Sequence, residues 1–563
     1  MSVTAGVDRN GLMQDDGEAL RAMNVVVVSG GSVLVDPTGE TGEPVYTHAV
    51  AFRDGRVVAL GDAAIDLRAG DATTVDLEGG VLAPALGDGH AHPLLGGLER
   101  FGPQIRSAPD LQGIIDAVAV WRAENPSAEW IIGGSYDATF SDKGHFDARW
   151  LDEVTGSTPT VLRSWDYHSV WVNSAALAAA GITSETPDPP FGRIIRRPDG
   201  SPLGTLFEDA ANDFMAQTVP AYSFERRLEA LQYATSLCAA QGTTWLQDAW
   251  VEPDDVDVYL AAAGQGQLHV RINLAMKTSA RAWREHVDQF IAARQKVRDL
   301  DSDCLDAETV KIFVDGIVET HTASLLTPYA DQPEESGLAH WDPENLNQAV
   351  TAFDAAGFQL HFHAIGDAAN RNALNSIEAA AIENGPSARR HVIAHVAVLH
   401  PDDVDRFAKL GVIANFQPYW AKCDAVMRDL TIPHLGHPRS EWQYLIGSLQ
   451  QTGATISFGS DWPVTTLDWR PALATAITRT NDDSPGEDPW LPQERVDART
   501  AYAAYTKGLA VQASAETDRG TLRQGQIADA VWLSSDPLRV DPDAIHDIFV
   551  RGTWLAGERI YQA

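Results

Sequence analysis

Cysteine is scarce in this 563-residue chain: only Cys238, Cys304 and Cys423 occur. They form no Cys-x-x-Cys pair, and three thiols cannot all pair with one another. A disulfide framework is therefore excluded, and a cytoplasmic, reducing location is expected. Long apolar runs are missing as well. No stretch approaches the ~20 apolar residues needed to cross a bilayer. The valine-rich run Asn24–Val35 (NVVVVSGGSVLV) is short and broken by glycine, so it reads as a strand pair and not as a signal peptide. Positive charge is the third shortage. Lys and Arg total 42 against 78 Asp and Glu, a formal net charge of −36. Such a surface repels phosphate backbones and anionic lipid heads. Nucleic acid and membrane partners are thus not expected, and the charge points to a neutral or cationic small molecule.

What remains is an ordinary globular composition, 44% hydrophobic and 21% charged, enough for a large core. Residues 1–23 lack periodicity and read as a flexible leader. Residues 24–83 read as short strands punctuated by Gly and Asp, and 515–563 have the same texture. One β-sandwich closed by both chain ends is expected. Between them, in 84–514, short apolar runs alternate with helix-periodic stretches such as Arg226–Ala240 and Asn345–Ala356. That alternation implies βαβ units and a parallel sheet. Eight core strands can be counted: LAPAL (82–86), TTWLQD (243–248), VRINLA (270–275), TVKIFV (309–314), FQLHFH (358–363), HVIAH (391–395), GVIANF (411–416) and ATISFG (454–459). Eight is the number of a (β/α)8 TIM barrel. An α/β chain of this kind is expected, with an inserted subdomain at 100–225 after the first barrel strand. The insertion carries its own strand-like runs at 130–137 and 159–166.

The polar residues fall at the ends of these strands, where barrel enzymes carry their chemistry. After the first come His90 and His92, whose alternate spacing on an extended segment turns both the same way. The fourth contains Lys311, the fifth ends at His363, the sixth ends at His395, and the eighth runs into Asp461. Each alone has a plain structural reading: a strand-end histidine is usually just polar, and an aspartate after a strand is usually a turn or cap. Their conjunction on consecutive barrel strands points to metal. Lys311 is the hardest to dismiss, because an ammonium inside TVKIFV is costly without a partner.

The text DGHAHP (88–93), VKIFVDG (310–316), HAIGDAANRNAL (363–374), ANFQP (414–418), GSDWPV (459–464) and GTLRQGQIADAVWL (520–533) resembles the amidohydrolase superfamily. So do DYHSVWVNSAAL (166–177) and GTLFEDA (204–210) in the insertion. Within it, the chain is similar to the branch containing N-substituted formamide deformylases. The resemblance implies that His90 and His92 hold the more buried of two metals and that His363 and His395 hold the second. Lys311 would be carboxylated and bridge them. Asp461 would bind metal and move protons. Two zinc ions are the default, since these ligands suit a redox-silent cation. A single ion is the alternative, with Lys311 remaining a cation paired to Asp315 or Asp461. Manganese, iron or cobalt would also suit these donors.

The implied activity is hydrolysis of an amide-like carbon–nitrogen bond by activated water. An ester, a lactone or a deamination substrate would use the same machinery, and an inactive binding scaffold is the remaining reading. His168 is a candidate for holding the carbonyl oxygen, or else a structural histidine of the insertion. Trp165, Tyr167, Phe313 and Trp462, with Tyr419 and Trp420, suggest an aromatic or apolar substrate group. Glu319 and His321 stand where relatives often have Gly-Ser-Arg, and so are candidate substrate contacts. His361 shares a strand face with His363 and is expected behind the ligands. The stretch around Met427 and His434–His437 reads as a lid or pocket wall. A homodimer is expected only as the commonest symmetric state.

Overall fold

Residues 25–481 and 488–563 are described by a computed structural model; the expected leader at 1–23 lies outside them. Eight parallel strands form the centre: β1 (Leu86–Ala91), β2 (Thr243–Val251), β3 (Arg271–Thr278), β4 (Leu305–Phe313), β5 (Gln359–Ala364), β6 (Val392–His395), β7 (Ile413–Phe416) and β8 (Ile456–Phe458). They are hydrogen-bonded in the order β8-β7-β6-β5-β4-β3-β2-β1. β8 meets β1 just past its own end, where Asp461 N donates to His90 O (2.6 Å) and His92 N donates to Trp462 O (2.7 Å). The barrel expected from the alternation is thereby present.

Helices pack outside, and their starts are written in the sequence. Ser223 accepts from Arg226 N to begin Phe224–Ala240, and Asp342 accepts from Glu344 N and Asn345 N ahead of Pro343 to begin Pro343–Ala355. Val310, Ile312, Leu360 and Phe362 are fully buried toward this helical layer. Their alternate neighbours Thr309, Lys311, His361 and His363 face the barrel axis, as the period of two requires. The lower barrel interior is polar. Asn273 donates to Gln247 (2.9 Å) and to Thr309 (2.7 Å), Thr309 donates to Gln359 (2.9 Å), and Ser457 donates to Gln512 (2.6 Å).

One expected strand is corrected. The run at 82–86 is not a barrel strand: Val81–Pro84 pairs antiparallel with Ala530–Leu533 in the other sheet, and the barrel begins at Leu86. Pro84 has no N–H to donate to a ladder, so the apolar run breaks there and is shared between two sheets. His90 consequently lies inside β1 and His92 one residue past its end, instead of in a loop after the strand.

Both chain ends build the second sheet, as expected, but hydrogen bonding makes it one continuous eight-stranded sheet. Its long strand Val26–Asp36 breaks register between Ser29 and Val33, at Gly30–Gly31. The insertion forms a five-stranded sheet that includes Ile131–Tyr136, Thr160–Ser164, Ser169–Val172 and Pro202–Glu208. The tight turn 165–168 of this sheet faces the barrel mouth. Among the described residues no helix is long and apolar enough to cross a membrane.

Candidate active site

The strand ends open into a cavity of about 1440 Å³. All thirteen candidate residues line it: His90, His92, Lys311, His363, His395 and Asp461, with Trp165, Tyr167, His168, Phe313, Glu319, His321 and Trp462. Tyr419 and Trp420 line it too.

Parallel register sets the floor. Lys311 is level with His361, Phe313 with His363, and Ala364 with His395. Strand alternation alone would turn His395 away from the axis, opposite to Ala394. Its backbone instead turns left-handed (φ 75°), as does that of Asp461 (φ 57°), and this swings both side chains inward. Tyr167, His321 and Tyr444 also line the cavity with positive φ. Non-glycine residues in this region are strained, and such strain gathers at functional sites.

The ligand-capable atoms of His90, His395 and Asp461 lie within 4.8 Å of one another, all buried. Asp461 Oδ1 is 2.8 Å from His92 Nε2 and 3.4 Å from His90 Nε2. Behind this group the imidazoles of His90, His395 and His363 are steered by a second nitrogen. His90 Nδ1 is 2.9 Å from His361 Nε2, and His395 Nδ1 is 2.8 Å from Gln417 Oε1. His363 Nε2 is 3.3 Å from Gly316 O. Such partners set which nitrogen of a histidine is free to ligate. His92 Nδ1 is buried without a partner. Burial holds the imidazoles of His90, His361 and His363 well below their usual range and brings His395 to about 3. They are therefore neutral, the form that binds metal. Burial would raise Asp461, but the hydrogen bond and charge of His92, with His395 and Lys311, outweigh it and keep the carboxylate ionised. This donor set fits a divalent metal.

Lys311 is fully buried. Its Nζ lies 3.5 Å from His90 Nε2 and 4.6 Å from the centre of the Phe313 ring. Among the described residues no carboxylate oxygen comes within 4.0 Å of it. Burial lowers its ammonium to about 7. The alternative pairing with Asp315 is corrected. That carboxylate accepts from Ser324 N (2.8 Å), Ile365 N (3.0 Å) and Gly366 N (2.8 Å), so three backbone donors in the loops after β4 and β5 already hold it.

His168 comes from the insertion's turn and sits above the floor, its ring 5.1 Å from that of His363. Its Nδ1 is 2.9 Å from Glu208 Oε2, and Thr322 donates to the other oxygen of Glu208 (2.7 Å). Burial pulls this imidazole down, but Glu208, Asp166 and Asp461 outweigh burial and raise it to about 9. Tyr167 turns its hydroxyl away, donating to Glu99 (2.6 Å). Trp462 packs over Gly96, where a Cβ would meet its ring at 2.4 Å. Glu319 accepts from Thr431 (2.5 Å), and burial raises its carboxyl. His321 stands apart from the floor, against Asp331 and His434 on the cavity wall.

Three contributors had no role assigned from the sequence: Asp88, Glu208 and Gln417. Each lies within a motif already singled out, which was the only signal available. Asp88 accepts from Ser460 N (2.9 Å), Ser460 Oγ (2.5 Å) and His90 N (3.1 Å). It thereby ties β8 to β1. Gly459 permits the approach, since a Cβ there would lie 2.6 Å from His90 N.

A model of the amidohydrolase family matches residues 73–561. The chain belongs to the amidohydrolase family. This amidohydrolase is 32% identical over 556 residues to the protein LONG AFTER FAR-RED 3 of Arabidopsis thaliana, covering 95% of this chain and 91% of that one. It is 24% identical over 542 residues to the N-substituted formamide deformylase of Arthrobacter pascens, covering 92% and 95%. In fold it is similar to an uncharacterized metal-dependent hydrolase from Pyrococcus horikoshii, with TM-score 0.71 and 20% identity over 92% of this chain and 99% of that one. Membership makes the protein a hydrolase of the amidohydrolase type, and its buried donor cluster suits a divalent metal.

Proposed function

We propose that this amidohydrolase cleaves an amide-like, non-peptide carbon–nitrogen bond in a small substrate bearing an aromatic or apolar group. The observation that carries the reading is the convergence of His90, His92, Lys311, His363, His395 and Asp461 on the floor of one cavity walled by aromatic rings.

His90 and His92 would hold one ion and His363 and His395 a second, with Asp461 as a further ligand and zinc as the default metal. Lys311 would join them after its neutral amine nitrogen bonds to the carbon of carbon dioxide and loses a proton, giving a carbamate. Its burial outweighs the opposing charges of Asp461 and Asp248 and favours the neutral amine that this step requires. When bound, the metals supply Lewis acidity and water that ionises near neutral pH. Asp461, hydrogen-bonded to His92, takes the proton of the attacking water and delivers it to the leaving nitrogen. His168, held by Glu208, donates a hydrogen bond to the substrate oxygen as negative charge develops there. Trp165, Tyr167, Phe313 and Trp462 exclude water around the apolar group. Glu319 accepts from a polar N–H or O–H on the substrate.

The test has two parts: the metal content of untagged protein purified without chelators, and release of amine from N-aryl and N-benzyl formamides and acetamides. About two equivalents of zinc and amine release support the proposal. One equivalent would sink the bridged pair. Protein that carries no metal and takes none up would overturn the reading entirely. Turnover of matched esters with no amide turnover would overturn the assignment of the bond.

A further inference from the structure

A second group of metal-type donors lies on the cavity wall and shares no residue with the floor. His321 and Asp331 come from the connection between β4 and the helix Pro343–Ala355, and His434 from the short helix Ile432–Leu435 after β7. His321 Nε2 is 3.1 Å and 2.9 Å from the two oxygens of Asp331, and His434 Nε2 is 3.5 Å from Asp331 Oδ2. The two imidazoles overlap, with centroids 4.0 Å apart and planes 37° apart. Their side chains are only 12% and 13% exposed, against 37% for Asp331, so two nearly buried nitrogens converge on one accessible carboxylate.

His434 Nδ1 is 3.4 Å from the carbonyl oxygen of Val318, which can only accept. In the tautomer that donates to Val318, the Nε2 lone pair of His434 points toward Asp331, an arrangement that a cation between the two satisfies.

We infer that His321, Asp331 and His434 form a further divalent-metal site, distinct from the barrel floor. Two imidazole nitrogens and a carboxylate with open positions suit a zinc-like cation. An ion there would clip together two connections whose ligand residues line the cavity. Two features of the backbone fit a site of this kind. His321 adopts a left-handed conformation (φ 57°), and the π-helical turn Met427–Thr431 leads into the helix that carries His434. Single π-turns recur at functional sites. Ala330 N donates to His434 O (2.8 Å), so the two connections are already held side by side.

The experiment is a calorimetric titration of zinc into the full untagged chain with its floor already loaded, followed by elemental analysis. The wild type should take up one further equivalent. His321→Asn/His434→Gln should lose that equivalent while keeping the floor metal and the thermal transition. Asp331→Asn alters only a half-exposed side chain and should weaken the added site about tenfold or more, since even indirect partners of a ligand cost that much. No further uptake by the wild type would overturn the inference. So would uptake that survives in both variants.

Discussion

At the scale of single residues, Asp461 has the most to do in the smallest space. One of its oxygens faces both His92 and His90, and its backbone N–H closes the barrel onto His90. Asp461→Asn keeps the shape and the backbone bond but loses the negative charge and the base. Turnover should fall about 10²–10⁴-fold, the usual worth of a positioned general base, with circular dichroism unchanged. A variant that keeps wild-type turnover would remove Asp461 from proton transfer. Lys311 is a different case, because its proposed role as a ligand depends on a modification. Lys311→Ala should lose activity and the bridged metal. Short carboxylic acids added to this variant should partly restore both, since they replace the missing carboxylate oxygens in the space the side chain leaves. Full activity of Lys311→Ala with normal metal content would refute the bridge.

At the scale of elements, the site is a set of strand ends whose heights must match. Asp88 and Gly459 set the junction of β8 with β1, and a second clamp acts at the opposite end of the sheet. Asp354, near the end of the helix Pro343–Ala355, accepts from Arg389 Nε (2.8 Å) and Nη2 (3.0 Å), from Asn384 (2.6 Å), and lies 3.2 Å from His391 Nε2. His391 Nδ1 in turn accepts from Leu360 N of β5 (3.1 Å). One carboxylate thus joins a barrel helix to the entries of β5 and β6. Burial alone would raise the Asp354 carboxyl, but the hydrogen bonds from His391, Arg389 and Asn384 outweigh it and hold it below the usual range. The sign follows: stabilisation is complete above the unfolded value near 4 and is lost as the pH falls through the lower folded value. Asp354→Asn should cost about 3 kcal/mol at neutral pH, the low end for breaking a buried ion pair. The difference in thermal midpoint from wild type should narrow as the pH falls below ~4. A gap that stays constant with pH would show that the charge is not what stabilises this junction.

At the scale of the whole molecule, the candidate ligands come from β1, β4, β5, β6 and the residues after β8, so metal held by all of them would tie five of the eight strand ends together. Ligand binding to the folded state alone adds about 3 kcal/mol at a free concentration ~100 times Kd. Chelation should therefore abolish activity and lower the thermal midpoint, and zinc should restore both. A midpoint indifferent to metal would place the bound ions away from the strand ends. The sequence by itself determined the class of fold and singled out the polar side chains that meet on the cavity floor. Strand and helix periods differ, and buried histidines and a strand lysine are too costly to be incidental. It did not determine where the first strand begins, because Val81–Pro84 and Leu86–Ala91 are buried throughout and carry no alternation to divide them. Only the tertiary structure decided that left-handed backbone turns His395 and Asp461 inward, and that His321, Asp331 and His434 meet across two connections. Distances between side chains on different connections depend on how the barrel closes, and spacing along the chain does not encode them.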